Sequence, residues 1–82
     1  MAWTVEIFSK DNCPYCVKAK ALLDDNGYTE IKVGEGIDRE DFLAKFPGHK
    51  TVPQIIIDGK HIGGHDELVK WLAFNDNNDV DF

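Results

Sequence analysis

The chain of 82 residues contains two cysteines, three positions apart, in the order Cys13-Pro14-Tyr15-Cys16. Two thiols at this spacing can close and reopen a disulfide, or they can supply half of a zinc site. Disulfide exchange needs a thiolate, and an unperturbed cysteine, with a pKa of about 8.5, is mostly protonated at neutral pH. Local structure must therefore favour the charged sulfur. Pro14 fits the first turn of a helix, where its missing N–H leaves no bond unmade. Cys13 then sits at the helix mouth, where unpaired N–H groups and the positive end of the helix dipole stabilise a thiolate. Lys10 and Lys18 can add positive charge. Cys16, one turn on, falls on the apolar side of the same helix, where burial keeps a thiol protonated. Cys13 is accordingly the expected attacking thiol and Cys16 the resolving thiol. A zinc site would need further ligands, and with no second Cys-x-x-Cys these would have to come from His49, His61 and His65. Redox chemistry is the stronger reading.

A strand and a helix must hold these thiols. Trp3 to Phe8 is rich in β-formers and alternates around Glu6, which predicts a first strand. Ser9 to Asn12 is a polar loop, and the helix after it runs from Pro14 to about Asn26, with Gly27 as its stop. Its apolar stripe is Cys16, Ala19, Leu22 and Leu23. Thr29 to Val33 is a second strand, and Gly34-Glu35-Gly36 is a turn. Asp38, with Asp41 three residues later, caps a second helix that presents Phe42, Leu43 and Phe46 and ends at Pro47-Gly48. Gln54 to Ile57 is a third strand, Asp58-Gly59 a two-residue hairpin turn, and Lys60 to Ile62 a fourth strand. Gly63-Gly64 opens a last helix, His65 to Phe74, with Leu68, Val69 and Leu72 facing inward. The order βαβαββα predicts two parallel strands across a helical crossover, then an antiparallel hairpin in the same sheet. The expected fold is α/β, a four-stranded mixed sheet flanked by three helices.

A chain of this length makes one domain, 1–82, in which the Asn/Asp-rich segment 75–82 reads as a flexible acidic tail. Hydrophobic residues make up 43%, which marks a globular chain and excludes intrinsic disorder. The net charge is −6, and Asp76, Asp79 and Asp81 account for half of it. No basic stripe exists for a phosphate backbone, so nucleic acid is not an expected partner. No apolar run approaches the roughly 20 residues that span a bilayer, and Met1-Ala2-Trp3-Thr4 carries no cleavable signal pattern. A cytoplasmic monomer without a membrane partner is expected. In a reducing compartment Cys-x-x-Cys is seldom a structural staple, which again favours catalysis.

Three segments resemble the dithiol glutaredoxins: Phe8-Ser9-Lys10 through Cys16, Thr51-Val52-Pro53-Gln54-Ile55, and Gly63-Gly64-His65-Asp66-Glu67-Leu68. The likeness runs from Val5 to about Leu72 and implies the thioredoxin fold. It also implies a cis bond between Val52 and Pro53, which would free the Val52 backbone to pair with an extended peptide. The Gly63 to Asp66 segment resembles the family's site for the γ-glutamyl end of glutathione. There Gly64 lets the ligand approach, the N–H groups of His65 and Asp66 hold its α-carboxylate, and the Asp66 carboxylate pairs with its α-ammonium. Asp66 can alternatively be a plain helix cap. Lys10 and Lys50 are candidates for the glycine carboxylate, Thr51 belongs to the same loop as Val52, and Tyr15 would wall the groove beside Cys13.

Some glutaredoxins have a cysteine directly after Gly-Gly, where this chain has His65. The activity implied is glutathione-dependent reduction of protein disulfides and glutathione mixed disulfides. Glutathione is the co-substrate, with no permanently bound cofactor or metal, and ribonucleotide reductase is among the protein substrates the family permits. Two alternatives remain open at this point: a redoxin reduced by thioredoxin reductase, and a glutathione-ligated iron–sulfur carrier.

Overall fold

Val5-Glu6-Ile7-Phe8-Ser9 sends alternate side chains to opposite faces, and each face finds its own apolar cover. The computed structural model describes residues 3–75. In it Val5–Ser9 is strand β1, followed by helix α1 (Pro14–Leu23), β2 (Thr29–Lys32), α2 (Arg39–Lys45), β3 (Gln54–Ile57), β4 (Lys60–Gly63) and α3 (His65–Asn75). The sheet order is β2-β1-β3-β4, with β1 and β2 parallel and the other pairs antiparallel. This is the four-stranded mixed sheet that the βαβαββα order predicts, and the thioredoxin fold that the family resemblance implies. Residues 76–82, most of the expected acidic tail, lie outside the described residues.

One face of the sheet buries Val5, Ile7, Ile55 and Ile57 against Ala19 and Leu23 of α1 and Leu68 of α3. The other buries Phe8 against Phe42 of α2 and Phe46 just beyond it, with Ile31, Val52 and Ile56 around them. The Phe8 and Phe46 rings meet edge to face at 5.0 Å. Two layers of helix thus clamp β1 from both sides, and the end of β1 is what carries the cysteine loop.

Several expected boundaries move. Helix α1 stops at Leu23, not near Asn26, because Asn26 is drawn toward the first strand: its amide donates to Trp3 O (3.0 Å) and its Oδ1 accepts from Trp3 N (2.9 Å). Gly27, at φ +85, closes the end with an N–H to Leu23 O of 2.9 Å. Strand β1 begins at Val5, since Thr4 is engaged by Asp58, whose Oδ1 accepts its N–H. Val33 leaves β2 for a single bridge to Ile37. Asp38 stands at the cap of α2 but makes no side-chain cap bond. Leu22 and Val69 were expected inside, yet each is 45% exposed. The sheet accommodates one narrow line from each helix, and these two side chains fall beside it.

A polar lock ties α1 to the sheet. The buried Ser9 hydroxyl donates to Glu30, and Lys20 of α1 reaches the same carboxylate at 2.9 Å. The Ser9 hydrogen bond and then Lys20 hold the Glu30 carboxyl below its ordinary value of 4.5, against a smaller opposing effect of burial. A depressed carboxyl contributes stability that is complete above the unfolded value and lost as pH falls through the folded one. Glu30→Gln should therefore cost about 1 kcal/mol at pH 7 and progressively less below pH ~4.5. Thermal melts of both proteins at pH 7 and pH 3 measure this, and a gap unchanged at pH 3 would contradict it.

Candidate active site

Cys13 is the N-cap of α1, in extended conformation at φ −119, and Pro14 is the first helical residue. Asn12, at φ 57, turns the chain out of the β1 end and into that cap. The Cys16 N–H donates to Cys13 Sγ at 3.2 Å, so a helix-end amide points at the first sulfur. Cys13 and Cys16 are disulfide-bonded, with Cα atoms 5.2 Å apart. Cys16 is 1% exposed, whereas Cys13 is half-buried. The two sulfurs occupy different environments, as their positions on the helix predicted.

Cys13 stands between two hollows. On one side Sγ lies 3.8 Å from Val52 O, at the edge of a groove of about 390 Å³. That groove is lined by Tyr15, by Thr51, Val52 and Pro53, and by Gly64, His65, Asp66 and Glu67. On the other side is a cleft of about 590 Å³ that contains Lys10, Asp11, Cys13, Val17, Lys20 and Lys32. In the cleft Lys20 pairs with Glu30 and Lys32 with Asp11, both at 2.9 Å, while Lys10 has no carboxylate partner among the described residues. Lys50 is exposed and lines neither hollow. Lys18 places its Nζ 5.2 Å from the Tyr15 ring centre, so its charge is directed at that ring.

The Val52–Pro53 peptide is cis. The Val52 N–H has no hydrogen-bond partner among the described residues, although Val52 is only half exposed and faces the groove. Across the groove, α3 begins at His65 and its end is capped from within. Glu67 Oε1 accepts the Gly64 N–H at 2.9 Å. That is the third-helical-position half of a capping box, whereas Asp66, the alternative plain cap, makes no cap bond among the described residues. The Asp66 side chain is instead 83% exposed, its Oδ1 3.1 Å from His65 Nδ1. His65 in turn packs on Tyr15 with ring centres 5.4 Å apart. Glu67 is the residue that sequence reasoning missed, although Glu three places after a capping Gly64 was a readable signal.

A second polar cluster lies behind the loop. Gln54, 2% exposed, donates through Nε2 to Thr51 O (2.9 Å), and its Oε1 is 2.7 Å from His61 Nε2. The His61 ring packs on Phe46 at 4.6 Å and on His49 at 5.0 Å. Partial covering of the ring, then the neighbouring His49, push the His61 pKa below its ordinary 6.5, with Glu67 acting the other way. No group of three or more His, Cys, Asp or Glu among the described residues is placed to hold a metal ion.

Residues 5–62 match the sequence profile of the glutaredoxin family. The chain is 48% identical over 69 residues to glutaredoxin 1 of Rickettsia conorii, covering 79% of this chain and 68% of that protein. It is 46% identical over 66 residues to glutaredoxin 3 of Escherichia coli K12, covering 78% and 80%. Among solved structures it superposes on reduced E. coli glutaredoxin with a TM-score of 0.73 at 40% identity, over 88% of this chain and 95% of the other. A buckwheat glutaredoxin–glutathione complex gives a TM-score of 0.72 at 33% identity, over 88% and 70%.

Proposed function

Since this chain belongs to the glutaredoxin family and is therefore a thiol–disulfide oxidoreductase, we propose that Cys13 is its nucleophile, Cys16 its resolving thiol, and glutathione its co-substrate. The observation that carries the division of labour is the Cys16 N–H donated to Cys13 Sγ beside a Cys16 side chain that is almost wholly buried. A sulfur facing a helix-end amide is the better thiolate, and a sulfur in an apolar core stays protonated until a disulfide comes within reach.

With a glutathione mixed disulfide, the Cys13 thiolate attacks the glutathionyl sulfur and the target leaves as its thiolate. A second glutathione thiolate then attacks the glutathionyl sulfur on Cys13, releasing glutathione disulfide and restoring the Cys13 thiolate. With a protein disulfide, Cys13 forms the mixed disulfide and frees one target thiolate. Cys16 then loses its proton and attacks Cys13 Sγ, which frees the second target thiolate and leaves Cys13–Cys16 oxidised. Two glutathiones in sequence reduce that bond and leave as glutathione disulfide. Each cycle moves two electrons.

The groove beside Val52 supports glutathione as the occupant. An unpartnered Val52 N–H can pair with the ligand backbone, and the N–H groups at the start of α3 with its α-carboxylate. The exposed Asp66 carboxylate is available for the α-ammonium, because Glu67 does the capping. Tyr15, Thr51, Pro53, Gly64 and His65 wall the site. Lys10, in the cleft on the other side of Cys13, and the exposed Lys50, next to Thr51 in the chain, are the candidate charges for the glycine carboxylate. This reading takes residues 1–82 as one domain that acts as a cytoplasmic monomer on disulfide or glutathionylated proteins. No described helix is long and apolar enough to cross a membrane. The test is Cys16→Ser: it should retain removal of glutathione from a glutathionylated protein within about threefold and lose most reduction of protein disulfides. Equal loss of both activities would refute the assigned roles.

A further inference from the structure

The groove depends on one peptide unit, Thr51–Val52, whose N–H is the unpartnered donor. What fixes the plane of that peptide lies behind it. Gln54 Nε2 donates to the Thr51 carbonyl at 2.9 Å. Only the Val52–Pro53 bond is cis among the described residues, so the Thr51–Val52 peptide is trans and its N–H points away from its carbonyl. A bond that holds Thr51 O on the Gln54 side therefore aims the Val52 N–H the opposite way, toward the groove that Val52 lines.

Gln54 is 2% exposed, and its amide orientation is set by that bond: Nε2 faces Thr51 O, so Oε1 must accept from His61 Nε2 at 2.7 Å. An acceptor there requires the proton of the neutral imidazole to sit on Nε2. The ring that donates it packs against Phe46 and His49, with ring centres 4.6 and 5.0 Å away. Three dipoles consequently align head to tail, from imidazole through amide to peptide, and each hydrogen bond polarises the next. Glu67 and His49 are the titratable groups near this ring. Protonation of Nδ1 adds charge but leaves the Nε2 donor intact, so the alignment does not depend on the ring being neutral.

We propose that His61 is a positioning residue for the co-substrate groove, acting through Gln54 to fix and polarise the Thr51–Val52 peptide whose N–H meets the ligand. The proposal rests on the reading of the groove as the glutathione site. It places a determinant of co-substrate affinity on an edge strand, on a residue that does not line that groove.

The test uses the full chain with the mixed disulfide of cysteine and glutathione as substrate. His61→Phe keeps a ring against Phe46 and His49 but has no N–H, and Gln54→Met removes the middle of the relay. Each should raise KM for the mixed disulfide about fivefold with kcat within about twofold, the pattern of lost uniform binding. The rate of Cys13 alkylation by iodoacetamide should be unchanged in both. His61→Gln, whose side-chain N–H₂ reaches the position of ring Nε2, should restore KM to within about twofold. Nitrogen NMR of the native protein at pH 8 should find the His61 proton on Nε2. A proton on Nδ1, an unchanged KM in His61→Phe, or a His61→Gln as impaired as His61→Phe would each overturn the relay. Asp66→Ala run in parallel separates the two claims. If it raises KM while His61→Phe does not, the relay alone is wrong. If it leaves KM unaltered, the groove reading fails and the ring tautomer decides the relay.

Discussion

Replacing Cys13 by Ser is expected to lower glutathione-dependent disulfide reduction by at least about a thousandfold, to background. Oxygen is a poor substitute because the seryl hydroxyl is not ionised near neutral pH and a sulfenate ester is not an intermediate of disulfide exchange. The loss should be chemical and not structural. Cys13 is the N-cap of α1, and Ser is among the best N-cap residues, so the helix start should survive the change. Its hydroxyl can still accept the N–H that Cys16 gives to Sγ. Initial rates measured beside a thermal melt check both halves. Activity within tenfold of the native protein would show that Cys16 carries the attack.

Gly63→Ala should be the most damaging single-methyl addition in the described structure. Gly63 has φ +125, a backbone region that side chains rarely enter. A Cβ there would lie 2.8 Å from Glu67 Cγ and 2.9 Å from Glu67 Cβ, and the Glu67 Cβ is fixed to the helix backbone and cannot swing aside. Moving Glu67 would break its bond to the Gly64 N–H and loosen the start of α3. Strain and overpacking together should cost about 2–3 kcal/mol, or a fall in Tm of roughly 10–20 °C for a domain of this size. The damage should also reach the site, because Gly64, His65 and Asp66 follow directly and line the groove. A raised KM for glutathionylated substrate should accompany the lower Tm. A Tm within about 2 °C of the native protein would mean that this junction tolerates a side chain.

The parts of the fold that were legible in the sequence are those fixed by local chemistry. Pro14 marked the start of α1, Asp58-Gly59 marked the hairpin, and Gln54 to Ile57 was long enough in β-formers to define β3 to the residue. At the turn Asp58 and Gly59 both have positive φ, as the two-residue hairpin demands. The different surroundings of Cys13 and Cys16 also followed locally, from Pro14 placing Cys13 at the helix mouth and from the apolar stripe that includes Cys16.

What escaped is set by partners distant in the chain. Asn26 ends its helix through bonds to Trp3, 23 residues away, and nothing near Asn26 announces them. Leu22 and Val69 carry the right spacing for burial but lie to the side of the line that meets the sheet. The meeting of His61 with Gln54 depends on the β3–β4 register, which shifts between Ile55 and Ile56. The Glu67 cap was legible in a Glu three places after Gly64, one residue beyond the exposed Asp66.

On the proposed mechanism Cys13, held at the helix mouth beside the Val52 groove, is the sulfur that exchanges with glutathione. The most direct test is to treat reduced Cys16→Ser protein with glutathione disulfide and map the adduct by mass spectrometry, with Cys13→Ser as the counterpart. The expected result is one glutathione per chain, on Cys13, formed rapidly in Cys16→Ser, and at least about a hundredfold slower modification of Cys16 in Cys13→Ser. Comparable rates in the two variants, or no adduct on Cys13, would contradict it.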